Sequence, residues 1–375
     1  MAEHQRPDEA RKEAVDLRRE PVDLRREPVD PDAVRTVGRV PHGGETDPDV
    51  LGFSANTNPE TPEGVETVYE DALEESRRYP DDEYPAFRAA AAAFVDCDPG
   101  RVVPTPGGLA AIRLAVETTL EPGDEALVPY PSFGEYAREI RLQGASPRFV
   151  RYDDLPELRS AALETAALAV VCTPNNPTGD AIPSETLERF AARCADAGTT
   201  LLVDEAFLGF TDLPSVAGLD RENVVVARSL TKLFGLPGLR AGFAVASGDR
   251  RDALEAARRT WSVGTPAARV GTHCLEDAAF VAATRDRVER ERERVRTRLE
   301  PRFDVYPSDA PYLLCDIGDR DVADVIESAR EDGVAIRDAT TFRGLDSHVR
   351  IAIKDRRRND RLLAALGVEC GNSGR

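Results

Sequence analysis

Between residues 84 and 246 the chain alternates helical stretches with short runs of Val, Leu and Ala. The runs are EALVP (125–129), LAVVC (168–172), LLVD (201–204), VVVAR (224–228) and AGFAVA (241–246). A strand that is apolar at successive positions must bury both faces, and strands alternating with helices do so in a mainly parallel sheet covered on each side. The helical stretches are YPAFRAAAAAFV (84–95), GGLAAIRLAVETTL (107–120), Pro131 to Leu142, and SETLERFAARCADAG (184–198). In the last, Ser184 is placed to cap the helix, Glu185 and Glu188 suit its first turn, and Gly198 ends it. After Pro266 the pattern changes to a charged helix, RDRVERERERVRTRLE (285–300), followed by strands YLLCDI, VAIRD and HVRIAI. That change predicts a second, α+β unit. The expected division is a tail over 1–35, an arm over 36–65, a large domain over 66–265 and a small domain over 266–375.

The tail repeats VDLRREP in tandem over residues 15–30, and Pro21 and Pro28 stop it from propagating as one helix. It reads as a mobile terminus, with a docking arm as the other possibility. No apolar stretch approaches the ~20 residues of a membrane span, and the N-terminus lacks a signal-peptide core. A cytoplasmic protein without membrane contact is the expectation. Six cysteines with no C-x-x-C spacing fit free thiols and no metal site. A net charge of −19 argues against a nucleic-acid partner. Only three of the 49 basic residues are lysines, Lys12, Lys232 and Lys354. Acidic excess with scarce lysine fits either a salty cytoplasm, where self-repulsion is screened, or a GC-rich genome.

Three elements carry chemistry: TPNNPTG (173–179), LLVDEAF (201–207) and RSLTKLFGLPGLR (228–240). Asn176, Asp204 and Lys232 are spaced 28 residues apart, and Arg240 follows eight residues later. Each falls at or just past the end of a predicted strand, the edge where open α/β sheets bind ligands.

Together these elements resemble the fold-type I pyridoxal phosphate enzymes of the class I/II aminotransferase family, from about His42 to the C-terminus. The resemblance implies a large domain with a mainly parallel, seven-stranded-type sheet, a smaller C-terminal α+β domain, and pyridoxal 5′-phosphate as cofactor. Lys232 is the implied cofactor-linking residue, because an amine condenses with an aldehyde and a guanidinium does not. Lys12 lies in the tail, and Lys354 sits in a run of charges that reads as exposed. Asp204 is expected to hold the pyridine nitrogen protonated and Asn176 to donate to the ring oxygen. Ser229, Arg240 and the backbone of Gly107, Gly108 and Leu109 are expected to bind the phosphate, the last three at the start of a helix beginning near Ala110. Phe133 falls where the family stacks an aromatic on the ring. Tyr79 resembles the tyrosine that reaches the neighbouring subunit's cofactor, which implies a homodimer with shared sites.

Two branches of the family compete, the L-threonine-O-3-phosphate decarboxylases of cobalamin biosynthesis and the histidinol-phosphate aminotransferases. The first is resembled at more places: His42-Gly43-Gly44, FSANTNP (53–59), Phe207 where the aminotransferases usually carry Tyr, RTWSVGTPA (259–267) and GLDSHVRIAIK (344–354). On that likeness Arg350 pairs with the substrate carboxylate and Arg337 with its phosphate or carboxylate. His42, Gly43, Asn56 and Asn176 complete the cradle. One departure stands out: Gly108, Leu109 and Ala110 replace the acidic and hydroxyl side chains that related decarboxylases tend to carry in the phosphate loop, which points to weakened cofactor affinity.

Overall fold

A computed structural model describes residues 35–41 and 43–368. The tandem heptapeptides, Lys12, His42 and Cys370 lie outside the described residues. In chain order the strands are β1 Leu51–Gly52, β2 Val102–Thr105, β3 Glu125–Tyr130, β4 Ser146–Arg151, β5 Leu168–Cys172, β6 Thr200–Asp204, β7 Val224–Ser229, β8 Gly242–Val245, β9 Asp304–Val305, β10 Tyr312–Asp316, β11 Val334–Ala335, β12 Arg337–Asp338 and β13 His348–Ala352.

The central sheet runs β2-β8-β7-β6-β5-β3-β4. All of its neighbouring pairs are parallel except those of β8, which is antiparallel to β2 and β7. Side chains of successive residues go to opposite faces. Val171, Val203 and Val226 accordingly pack into one core with Phe190 and Phe243, while Val170, Leu202 and Val225 pack into another with Ile140 and Tyr136. With both faces of β5, β6 and β7 buried, the polar side chains of these strands gather at their ends. The register aligns those ends: Cys172 sits beside Asp204, Asp204 beside Ala227, and Gly242 lies between Ser229 and Thr105.

A second sheet, β12-β13-β10-β9, is antiparallel throughout, and β1 pairs in parallel with β11. Phe53, just after β1, is buried with Leu313, Ile351 and Leu362 in the core of this region. The helix Ala278–Leu299 presents Val281, Val288, Val295 and Leu299 on its inner face. Its first half packs into the central-sheet core and its second half into the C-terminal one.

Four local expectations change. VAIRD is not one strand, because Val334–Ala335 pairs with β1 whereas Arg337–Asp338 switches to β13. Ser184 is the first residue of the helix Ser184–Asp196 and makes no cap; Pro183 precedes it. The helix expected from Pro131 starts at Glu135, after the loop that carries Phe133. The helix expected near Ala110 starts at Gly108, on a Gly107 whose φ of 94° suits glycine.

Gly242 lets β8 pass under the loop before that helix. A Cβ there would lie 2.6 Å from the Gly107 carbonyl carbon, 2.7 Å from the Arg228 oxygen and 2.7 Å from the Gly108 nitrogen. All three are backbone atoms that cannot swing aside. Gly242→Ala should therefore destabilise the fold by about 1–3 kcal/mol, measured by urea unfolding.

Candidate active site

A cavity of about 310 Å³ opens at the C-terminal edge of the parallel strands. Of the sequence-predicted residues, Gly43, Asn56, Gly108, Leu109, Phe133, Asn176, Asp204, Ser229, Lys232, Arg240, Arg337 and Arg350 all line it. Gly107 adjoins it, since a Cβ on this residue would meet Arg240 Nη2 at 2.5 Å. Tyr79 is not on this cavity. It is 76% exposed and stacks on Trp261, with ring centroids 4.1 Å apart.

Asp204 ends β6 and is only 5% exposed. Its Oδ2 accepts from the Tyr136 hydroxyl at 2.5 Å and its Oδ1 from the Ala206 amide at 2.9 Å. Burial pushes the carboxyl above the ordinary aspartate range, and the two donors pull it back. Both donors are neutral, so a cation placed against this carboxylate would find an unmatched charge. Next to it in the chain, the buried Glu205 carboxylate accepts from Arg228 at 2.9 Å and so ties the end of β6 to β7.

Lys232 lies in the short turn of helix that follows β7. Burial first, then the positive charges of Arg350 and Arg240, lowers its ammonium to about 8. The same excursion carries Arg240, held in the left-handed region at φ 57°. Its Nη2 donates to the Pro106 carbonyl at 3.4 Å, which sets the guanidinium beside the Gly107–Gly108 turn. A Cβ on Gly108 would lie 2.9 Å from Ser229 Cβ. There is no room for a larger side chain at this point, so the loop offers backbone N–H groups and a helix start. Ser229 Oγ lies 2.8 Å from Thr231 Oγ1.

The opposite wall comes from the C-terminal sheet. Arg337 and Arg350 are direct cross-strand neighbours on β12 and β13. Arg350, 5% exposed, donates from Nη1 to Asn176 Oδ1 and from Nη2 to the Ser54 carbonyl at 2.8 Å, while its Nε has no partner. Its guanidinium lies 5.2 Å from the Tyr312 ring centroid, and burial lowers it to about 10. Arg337 donates to the Pro41 carbonyl and to Thr341 Oγ1, both at 3.0 Å. Like charges opposite each other on a sheet are unfavourable unless an anion lies between or beside them. The described lining carries Lys232, Arg240, Arg337 and Arg350 against the single carboxylate of Asp204. The buried Asn56 Oδ1 is also unpartnered.

Pyridoxal phosphate fits this donor set. It needs an amine, which Lys232 could supply, and an anion for its ring nitrogen, which Asp204 could supply. Its phosphate needs a cradle, and Gly107, Gly108, Ser229 and Arg240 lie together where they would form one. Sequence reasoning missed Tyr136, although it lies three residues beyond Phe133 in YPSFGEY, in the first turn of the helix Glu135–Leu142. Lys354 was misjudged: it is 8% exposed and its Nζ donates to the carbonyls of Ala55 and Thr57.

Comparison with known proteins bears on the same residues. The sequence pattern described as "Aminotransferase class I and II" matches residues 48–366. Histidinol-phosphate aminotransferase 2 of Archaeoglobus fulgidus is 32% identical over 328 residues, covering 85% of this chain and 93% of that protein. Threonine-phosphate decarboxylase of Salmonella typhimurium is 34% identical over 335 residues, covering 84% and 90%. Among solved structures, histidinol-phosphate aminotransferase from Clostridium acetobutylicum superposes with a TM-score of 0.78 at 24% identity, covering 85% of this chain and 98% of that one.

A lysine near 8 is mostly ammonium at neutral pH and becomes a nucleophilic amine as pH rises. Capture of added pyridoxal phosphate by the cofactor-free protein should therefore accelerate with pH up to about 8 and then level off. An ordinary lysine would go on accelerating toward its usual range of ~10.4. Stopped-flow absorbance across pH 6–10 reads the difference.

Proposed function

The chain belongs to the class I and II aminotransferase family, whose members use pyridoxal phosphate, and on that footing we propose that it is a lyase that decarboxylates L-threonine O-3-phosphate. The product is (R)-1-amino-2-propanol O-2-phosphate, a cobalamin side-chain precursor. The observation that carries this reading is the Arg337–Arg350 pair, two guanidinium groups side by side on adjacent strands and facing one cavity. A substrate with a carboxylate and a phosphate on one small molecule answers both. Phe207, buried on the cavity wall with its ring 5.1 Å from that of Tyr312, gives the site an apolar surface where the aminotransferases usually carry a tyrosine hydroxyl.

Bound to Lys232, the cofactor supplies an electron sink for the pair left at Cα when one of its bonds breaks. The protein decides which bond that is. Only a bond perpendicular to the ring plane breaks readily, so the residues that fix the substrate's anions fix the reaction. Arg350 and Asn176 hold the carboxylate, and Arg337, Gly43 and Asn56 hold the phosphate, with His42 as a further partner on the family likeness. Lys232 Nζ, on the cavity wall, would deliver the proton that takes the place of the departing carbon dioxide at Cα. The Tyr136 hydroxyl and the Ala206 amide donate to Asp204 and favour its anionic form against burial, so Asp204 would balance a protonated ring nitrogen.

A histidinol-phosphate aminotransferase is the second reading, favoured by the Archaeoglobus relative. Histidinol phosphate carries one anionic group and an imidazole, although the dicarboxylate of the second half-reaction would also satisfy two arginines. A homodimer is part of both readings. It would cover Tyr69 and Leu73 as well as the stacked Tyr79 and Trp261, all exposed in the single chain.

Two incubations of cofactor-loaded protein in high potassium chloride separate the readings. L-Threonine O-3-phosphate should release carbon dioxide, and histidinol phosphate with 2-oxoglutarate should yield no glutamate. Glutamate without carbon dioxide would overturn the decarboxylase in favour of the aminotransferase. Arg350→Met should weaken the transition-state complex by about 2 kcal/mol or more, read as kcat/KM, because it strands a buried anion. Lys232→Ala should abolish the visible absorbance of the bound cofactor.

A further inference from the structure

The segment Phe53–Asn58 bridges the two sheets and is gripped at almost every residue. The Ala352 amide donates to the Phe53 carbonyl at 3.0 Å, and Arg350 to the Ser54 carbonyl at 2.8 Å. At the far end the Asn58 amide donates to the Lys232 carbonyl at 3.0 Å, and Asn58 Nδ2 to the Leu233 carbonyl at 2.8 Å. Arg287 Nη2 donates to Asn58 Oδ1 at 2.5 Å. Between these anchors lies Asn56, buried on the cavity wall with an unpartnered Oδ1. What holds Asn56 is Lys354. Its Nζ donates to the Ala55 carbonyl at 3.2 Å and to the Thr57 carbonyl, one on either side.

Lys354 is itself fixed. Its amide donates to Asn359 Oδ1 at 2.9 Å, and Asn359 Nδ2 donates to the Lys354 carbonyl at 3.0 Å and to Glu291 at 2.9 Å. Burying an ammonium is unfavourable, and at this site burial and then the nearby Lys232 charge lower it to about 8. Asp355 faces it with a compensating charge, whereas Arg358 and Arg287 add to the repulsion. A buried cation that spends its hydrogen bonds on two carbonyls of a cavity-lining loop is an expensive way to hold a loop unless the loop must hold something.

We propose that Lys354 is a positioning residue for substrate recognition: its clamp on the Ala55 and Thr57 carbonyls presents the Asn56 carboxamide, through its Nδ2 donor, to the anionic group of the substrate. Lys354 does not touch the substrate; it acts through Asn56. The inference rests on the reading of this cavity as a cradle for a phosphorylated, carboxylate-bearing amine.

The test uses cofactor-loaded full-length protein and 3-phosphoglycerate, which carries a carboxylate and a phosphate but no amine, and so binds without reacting. Calorimetry should give a dissociation constant raised about tenfold by Lys354→Met and by a similar factor by Asn56→Ala. The double variant should lose no more than Asn56→Ala alone, because both changes remove one contact. Lys354→Arg, which retains a cation able to bridge two carbonyls, should recover most of the affinity. Cofactor absorbance should be unchanged in all of these variants. If Lys354→Met lowers the melting temperature but leaves the dissociation constant unchanged, the lysine is structural only and the proposal fails. Losses that multiply in the double variant would also overturn it, since Lys354 would then act independently of Asn56. If the parent protein itself does not bind 3-phosphoglycerate, the cradle reading falls, and this inference with it.

Discussion

Apart from its edge strand β4, the central sheet is buried on both faces, and that one constraint arranges nearly everything else. Strands β5, β6 and β7 are apolar through their middles, so the chemistry gathers where they stop. Parallel pairing makes them stop together. Cys172, Asp204 and Ser229 belong to three different strands, yet the register sets them along one edge. The antiparallel β8 adds to this edge by returning the chain beneath the Gly107–Gly108 turn. The excursion before it leaves Lys232 and Arg240 on the cavity, with Arg240 beside that turn.

That edge was legible in the sequence because its signal is local. A run such as LAVVC followed by TPNN, or LLVD followed by EAF, marks both a buried strand and the polar residue that ends it. The rest of the site depends on contacts between distant segments. Nothing within VAIRD tells that its first half pairs with β1 and its second with β13; two separate strands compete for one short segment, and each takes two residues. Lys354 was misread for a related reason. Its sequence neighbours Asp355 to Arg358 are charged, and a run of charges reads as solvent-facing. The residue instead lies directly beyond the buried strand β13 and turns inward, while the charges after it open the helix Arg356–Ala365. Tyr136 lies in the first turn of the helix that follows the Phe133 loop, but its partner Asp204 is 68 residues away.

The electrostatics of the molecule are divided. The chain as a whole carries −19, yet the described lining of the cavity sets four cations against one carboxylate. An anionic ligand therefore meets a repulsive exterior and an attractive interior, and low-dielectric walls concentrate the interior field. Arginine supplies most of that interior charge, suited to forked recognition of carboxylate and phosphate and charged at every physiological pH.

Lysine is used differently. Both lysines among the described residues are drawn in from the surface, Lys232 onto the cavity wall and Lys354 beneath the loop that carries Asn56. The outer surface of the described residues thus presents guanidinium groups but no side-chain primary amine. Reactive aldehydes, reducing sugars and activated esters, which attack amines wherever they are exposed, would find no surface lysine to modify among the described residues, and Lys232 alone of the two lines a cavity where an aldehyde could meet it.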